Sequence, residues 1–528
     1  MAKESPAARI QRIKLEKSGL EVLADIKRYA ADSSIELNPE DIDRFKWYGL
    51  YSQNKNLQPA DDENLYFMLR VKLEKGAMTV TQMREVAKLS HEFAKGQATL
   101  TTRQDIQFHN IAVSNLPEIF DRLQTVGLST VFAAGDVPRN VASCPVAGVD
   151  HTELIDVNDT IDAVNDYFRG NKDLVNLPRK YKVGISACSK HCMGHEIQDL
   201  SFTAVKLNDT VLFDVSVGGG LASNKEIATH IGYVTKEQIL EVVKVVSVIY
   251  KEHGLREKRT KARLGHLIAQ WGIEKFTNEI ETNLGYKLQE TQTQEYTTYA
   301  KREHFGVHAS KIENTSYIGC AINGGKLGAS GLDSLANALE SAGATTIKAT
   351  STQNFIITDV PTSNAQALVE ELATFKIDAN PSAFKARTLS CTGLNFCKFA
   401  VSETKDKAVE LSEYLEAKFP DFEDTLSISL NGCPNSCAHP HIVDIGLLGA
   451  KVKDEDGVTI PGFDLILGGN LEGINSSFGQ KAKLKVRPDQ VNGVVEKIVS
   501  SYIESEHTVI HDFMKEKVND RDFIENLI

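Results

Sequence analysis

Two stretches of this chain, far apart in sequence, share one order of apolar and polar positions. Residues 66–73 and 317–322 read as strands rich in aromatic and branched side chains. A helical stripe follows each. Met83, Val86, Ser90 and Phe93 form the first, with Ser90 its weak position; Leu332, Leu335, Ala336 and Leu339 form the second cleanly. Short strands come next at 105–111 and 354–360, then helices near 116–126 and 365–375. That order predicts a split βαβ, ferredoxin-like module in each half.

The repetition extends beyond the modules. Ile185-Ser-Ala-Cys188-Ser-Lys-His-Cys192-Met-Gly-His-Glu-Ile197-Gln-Asp199 matches Leu430-Asn-Gly-Cys433-Pro-Asn-Ser-Cys437-Ala-His-Pro-His-Ile442-Val-Asp444 with one gap. Phe213-Asp-Val-Ser-Val-Gly-Gly-Gly220 echoes Phe463-Asp-Leu-Ile-Leu-Gly-Gly-Asn470, and Thr102-Arg-Gln104 echoes Ser351-Thr-Gln353. The segments led by Arg139 and Arg387 also correspond. A period of about 245 residues is far too long for a solenoid and predicts two fused copies of one half.

Length and charge narrow the classes. A chain of 528 residues exceeds one core and predicts several domains. No apolar run approaches the roughly 20 residues of a membrane span, and the N-terminal segment lacks the apolar core of a secretory signal. A cytoplasmic protein is expected. The net charge of −12 disfavours nucleic acid as the main partner, while leaving room for a local basic face toward a small acidic electron carrier. Eight cysteines are few for this length, and their clustering argues for metal ligation rather than disulfides.

Four of them carry most of the chemistry: Cys391-Thr-Gly-Leu-Asn-Phe-Cys397 and Cys433-Pro-Asn-Ser-Cys437. Spacing alone leaves a four-iron cubane and a zinc ion both open. The wording of the loops resembles the siroheme-dependent sulfite and nitrite reductases, from about Phe45 to Phe513. The resemblance implies an α+β / α/β fold, internally duplicated, with two paired ferredoxin-like modules and two larger α/β domains around siroheme. Applied to this chain, the divisions are residues 1–60 (helical arm), 61–135 and 301–385 (ferredoxin-like), and 136–300 and 386–528 (α/β). The resemblance further implies that Cys391, Cys397, Cys433 and Cys437 ligate a [4Fe-4S] cluster, with the Cys437 sulfur bridging to the siroheme iron.

Carried over position by position, Arg70, Arg139, Lys180 and Lys182 would receive the substrate anion. Lys180 and Lys182, two apart, would share one strand face. An arginine fork matches an oxyanion bidentately, and lysine adds charge and protons. Arg103, Gln107 and His109, read as alternate residues of one strand face, with Arg259 and Asn435, would contact the macrocycle. Tyr51 matches a tyrosine that some relatives crosslink to a cysteine; the cysteine position is Ala134, so no crosslink is expected. Cys188 and Cys192 repeat the ligand spacing, with only Cys144 near the place of Cys391. They read as a vestigial cluster site, dispensable for metal content, with a second metal site as the alternative.

The leading function is the assimilatory-type six-electron reduction of sulfite to sulfide, with nitrite to ammonia as the alternative. Lys182 tilts the choice toward sulfite, because plant-type nitrite reductases usually carry asparagine there. No dinucleotide fingerprint is visible, so electrons are expected from a ferredoxin or a flavoprotein subunit. An iron–sulfur carrier without turnover and a zinc-stabilised structural protein are the readings from other classes.

Overall fold

The computed structural model describes residues 4–55, 58–59, 61–188, 192–207, 209–290, 304–471 and 476–528. Residues 189–191 between the first cysteine pair, and the expected divisions at 60/61 and 300/301, lie outside these residues.

Four sheets organise the chain as two like pairs. In the first small sheet the strands Leu50–Ser52, Phe67–Val71, Ile106–Ile111 and Ala98–Leu100 lie side by side, all antiparallel. The segment read as a helical arm therefore supplies an edge strand after its helices Pro6–Glu16, Val22–Ala31 and Pro39–Arg44. The second small sheet orders Gly306–Ala309, Thr315–Cys320, Phe355–Pro361 and Thr346–Ala349 in the same way. Helix Val80–Phe93 begins at a reciprocal cap between Thr79 and Gln82 and buries Met83, Val86 and Ser90. Its counterpart, Gly328–Ala342, buries Leu332, Leu335, Ala336 and Leu339. The halves also exchange edges. Strand Ala77–Thr79 pairs with Thr346–Ala349 of the other module, and Thr99 bridges to Lys326 in return. One continuous core fills both modules.

Each larger sheet has three parallel strands followed by two antiparallel ones. The first runs Ala142–Ser143, Val183–Ser186, Leu200–Leu207, Thr210–Val217, Thr229–Val234. The second runs Thr388–Ser390, Ile428–Asn431, Ile445–Lys453, Thr459–Leu467, Gln480–Val486. Cys144 and Cys188 follow the first two strands of one sheet; Cys391 and Cys433 follow those of the other. Both cysteine sets thus sit at the carboxyl ends of parallel strands, where open sheets bind ligands.

Two glutamines lock the duplicated halves. Gln104 (φ +58°) and Gln353 (φ +65°) each take the left-handed conformation at the same turn. Gln104 Nε2 donates to Ala349 O at 2.8 Å, and Gln353 Nε2 donates to Leu100 O at 3.1 Å. The repeat seen in sequence is therefore a structural exchange between halves.

Candidate active site

The first thing this site needs is a rigid cysteine cradle, and hydrogen bonding supplies it. Gly432 N–H donates to Cys391 Sγ at 3.1 Å, and Thr102 Oγ1 donates to Cys437 O at 2.9 Å. The cluster loop extends the edge of the first small sheet: Cys397 bridges to Gln53, and Asn54 N–H donates to Phe396 O. Burial pushes the Cys391 thiol up to about 11 and Cys433 up to about 12, with the neighbouring Cys437 adding to both. Such thiols ionise when a metal takes the proton's place. Cys433 is buried, while Cys437 is exposed.

Those side chains converge from four segments. Arg70 Nη1 and Arg139 Nη1 both donate to Ala133 O at 3.1 Å, which aims the two forks into one space. Arg139 Nη2 lies 3.5 Å from the Tyr51 hydroxyl and donates to Gly135 O at 2.7 Å. Lys180 and Lys182 flank Tyr181, a fully buried ring packed on Phe168 and Tyr250. With Tyr181 pointing into the core, alternation turns both lysines the other way. Burial and then Arg263 bring Lys180 down to about 8, and Cys437 is close enough to oppose that shift. Burial, Arg103, Lys180 and Arg263 push Lys182 well below the usual lysine range.

Charge balance separates two groups of cations. Arg259 uses both terminal amino groups on Asp136, at 2.8 and 2.9 Å, and Asp136 also holds Arg179 and Lys14. Arg263 grips Asp199 through two bonds of 3.0 and 2.7 Å. Arg70, Arg103, Arg139, Lys180 and Lys182 form no ion pair among the described residues, and Arg70, Arg103 and Arg139 each bury an Nε with no acceptor. Arg139 is buried and the other four are half-buried, and such a group of cations without carboxylates in ion-pair reach calls for an anion. In a chain of net charge −12 it is a local reversal of sign. A polycarboxylate macrocycle together with a small oxyanion would supply the missing negative charge, so the donor set fits siroheme.

Several expected residues stand in unexpected places. Arg103 is not on the strand with Gln107 and His109. The left-handed turn at Gln104 sets it before the strand, where it donates to Gln198 Oε1 at 2.7 Å and Val183 O at 2.9 Å. Gln107 Nε2 donates to Thr392 Oγ1 at 3.1 Å, and His109 stacks on Phe396 with centroids 4.1 Å apart. Both therefore brace the cluster loop. Burial keeps His109 neutral, its pKa lowered to about 3. Asn435 is exposed at the tip of the loop, and its backbone N–H serves Cys433. Position 134 carries no sulfur to meet Tyr51.

Arg263, Asp199 and Thr102 went unassigned in the sequence. The signal was present: Asp199 ends the repeated Ile-x-Asp motif, and it accepts the Lys182 N–H at 2.8 Å. In the other half Asp444 accepts the Ser427 N–H at 2.8 Å. The motif fixes the backbone at Lys182.

A duplicated fold with an anion-receiving, thiolate-bordered cleft defines a class of redox enzymes that reduce small oxyanions. Comparison with known proteins makes this specific. Residues 134–288 and 383–518 match the nitrite and sulphite reductase 4Fe-4S domain, and 59–126 and 310–375 match the nitrite/sulfite reductase ferredoxin-like half domain. The sulfite reductase [ferredoxin] of Mycobacterium tuberculosis H37Rv is 34% identical over 478 residues, covering 87% of this chain and 85% of that protein. The ferredoxin–nitrite reductase of Synechococcus elongatus is 31% identical over 500 residues, covering 93% and 96%. The solved structure of the M. tuberculosis NirA protein superposes with a TM-score of 0.92 at 32% identity, covering 98% of both chains. The chain belongs to the siroheme- and [4Fe-4S]-dependent nitrite and sulphite reductase family and is an oxidoreductase. No helix among the described residues is long and apolar enough to cross a membrane.

Proposed function

We propose that this enzyme reduces sulfite to sulfide, with nitrite as a second substrate, and that a ferredoxin delivers the electrons. The observation that carries this reading is the set of converging cations, Lys182 among them, that form no ion pair among the described residues. Bound siroheme and the cluster beside it would supply the iron that takes the substrate and the route for electrons. Cys391, Cys397, Cys433 and Cys437 would hold the cluster. Arg103 and the cations beside it would neutralise macrocycle carboxylates. Arg70 and Arg139, pinned on one carbonyl, would grip the anion's oxygens. Lys180, lowered to about 8, holds a proton it can release near neutral pH, as a general acid requires. Arg259 and Arg263, already paired, set backbone and field rather than meeting substrate. A cytoplasmic location follows from cysteines that serve metals rather than disulfides.

Lys182 decides between the anions. Sulfite carries close to two negative charges at neutral pH and nitrite one, so an additional half-buried ammonium favours sulfite. A charge-assisted contact is worth about 1.5–3 kcal/mol, or roughly ten- to a hundredfold in discrimination. Lys182→Asn, assayed with both anions and reduced ferredoxin as sole donor, should lower the sulfite-to-nitrite ratio of kcat/KM by that factor. A ratio that does not move, or a wild-type enzyme far better with nitrite, would overturn the substrate assignment. Failure of ferredoxin to support turnover would overturn the donor.

A further inference from the structure

The duplication leaves a second cysteine set that the reductase reaction does not use. Cys144, Cys188 and Cys192 occupy the places of Cys391, Cys433 and Cys437, at the carboxyl ends of the matching parallel strands. The place of Cys397 is Asp150, six residues after Cys144 as Cys397 is six after Cys391. By that correspondence alone the site looks like a cluster cradle that lost a ligand.

Its geometry is different. Cys144 Sγ, Cys192 Sγ and one ring nitrogen of His304 all lie within 4.8 Å of one another. Cys192 Sγ is 3.7 Å from His304 Nε2. Cys188 neighbours Cys144 but stands outside this close set, so it completes the shell only by closing in on the ion. Among the described residues, Cys144, Cys192 and His304 alone bring three such ligand atoms so close; the four cluster cysteines are spaced more widely. Sulfurs around a cubane must span its iron–sulfide core, whereas ligands of one tetrahedral ion, each about 2.0–2.3 Å from it, lie within about 4 Å of each other. The first-half set has the closer spacing.

The surroundings are built for the same purpose. His304 Nδ1 faces Asp150 Oδ2 at 3.4 Å, leaving Nε2 toward the thiols, and Tyr317 OH donates to the same Asp150 oxygen at 3.2 Å. A carboxylate behind a ligating imidazole fixes its tautomer and raises its basicity. Access for His304 comes from Gly319, which stands in the second small sheet where Arg70 stands in the first: Arg70 pairs with Gln107, and Gly319 with the corresponding Ile356. A Cβ at Gly319 would lie 1.8 Å from His304 O, so only glycine lets this segment in. Lys348, whose Nζ donates to Ala147 O at 2.8 Å, brings a buried positive charge to the loop that carries Cys144. Three thiolates and one imidazole around a divalent ion leave one net negative charge for it to balance.

We propose that Cys144, Cys188, Cys192 and His304 bind one zinc-class divalent ion, oriented by Asp150. Borderline-soft thiolate and imidazole donors in tetrahedral array suit zinc. The ion would tie the cysteine loops of the first α/β sheet to the entry of the second ferredoxin-like module. The site replaces the vestigial, metal-free reading of this cysteine pair.

The test is elemental analysis of the wild-type holoenzyme, expressed with zinc in the medium and stripped of loose metal by a chelating resin. One zinc per chain is expected beside about five irons, four in the cluster and one in siroheme. Zinc-edge X-ray absorption on the same sample should give three sulfurs and one nitrogen. Cys192→Ser and His304→Gln should each lose the zinc while iron and the siroheme spectrum stay unchanged. Asp150→Asn should keep the ion but hold it roughly ten- to a hundredfold less tightly against a chelator. Absence of zinc, about nine irons per chain, a first shell other than three sulfurs and a nitrogen, or zinc retained in both ligand variants would each overturn the proposal. The wild-type measurements stand even where a variant fails to fold.

Discussion

On one side of the molecule Lys182 hangs its backbone on Asp199; on the other, Ser427 hangs on Asp444 by the same bond. The backbones match and the side chains have diverged. Where the working cleft has Arg70, Arg103 and Lys182, its mate has Gly319, Thr352 and Ser427. The mate is a real cleft, lined by Thr350, Thr352, Arg387, Ser427, His439 and Cys192. It has kept one arginine of the anion site, Arg387. Duplication supplied two frames, and the number of uncompensated cations distinguishes the one suited to a polyanionic cofactor.

The largest expected contrast lies in matched cysteines. Cys433→Ser removes a buried thiol from the proposed ligand set and should abolish cluster iron, acid-labile sulfide and turnover together. Cys188→Ser, at the same place in the other half, should leave iron, sulfide and turnover intact. Iron and sulfide analysis with steady-state assay separates them. A Cys433→Ser enzyme with full iron and activity would show that the ligand set is misassigned.

Next come the matched aspartates. Asp199 is buried and neutralises the buried Arg263, so Asp199→Asn leaves a guanidinium without its partner, at a cost of about 3–5 kcal/mol. Asp444 meets the Ser427 hydroxyl and N–H, with His511 Nδ1 at 3.6 Å, and Asp444→Asn should cost nearer 1.5 kcal/mol. Urea unfolding of the two variants tests this. Equal losses would mean that the Arg263 pair is not what sets the working half apart.

The helical stripes and strands of both modules were legible because each buries one face, and period alone reports that. The repeat was legible because the Ile-x-Asp and glutamine motifs keep their backbone work in both halves. The cluster as a cofactor was legible from the wording of the two cysteine loops, since spacing alone left zinc open. Side-chain direction was not. Arg103 shares the parity of Gln107, yet a left-handed glutamine intervenes, and nothing in the pattern announces a positive φ at Gln104. Nor does sequence show that Arg259 is held by Asp136, over a hundred residues away, or that His304 reaches Cys192 across a similar gap. Ion pairs and metal sites built from distant segments depend on tertiary geometry.

The smallest effect sharpens the charge argument itself. Burial alone would raise a phenol above its usual value near 10, but Arg139, Arg70 and Lys180 outweigh it and bring Tyr51 down to about 7. An acid whose folded pKa is depressed binds fewer protons folded than unfolded between those two values. Its stabilising contribution is full above about pH 10 and is lost as pH falls toward 7. Wild type should therefore gain stability over Tyr51→Phe as pH rises from 7 to 9. Macrocycle carboxylates offset part of the cationic pull, so the gain should be larger in siroheme-free enzyme. Urea midpoints of both proteins at the two pH values, with and without siroheme, measure it. A gain that is absent in both forms, or larger with siroheme bound, would mean that the cations around Tyr51 are balanced by something other than the cofactor's carboxylates.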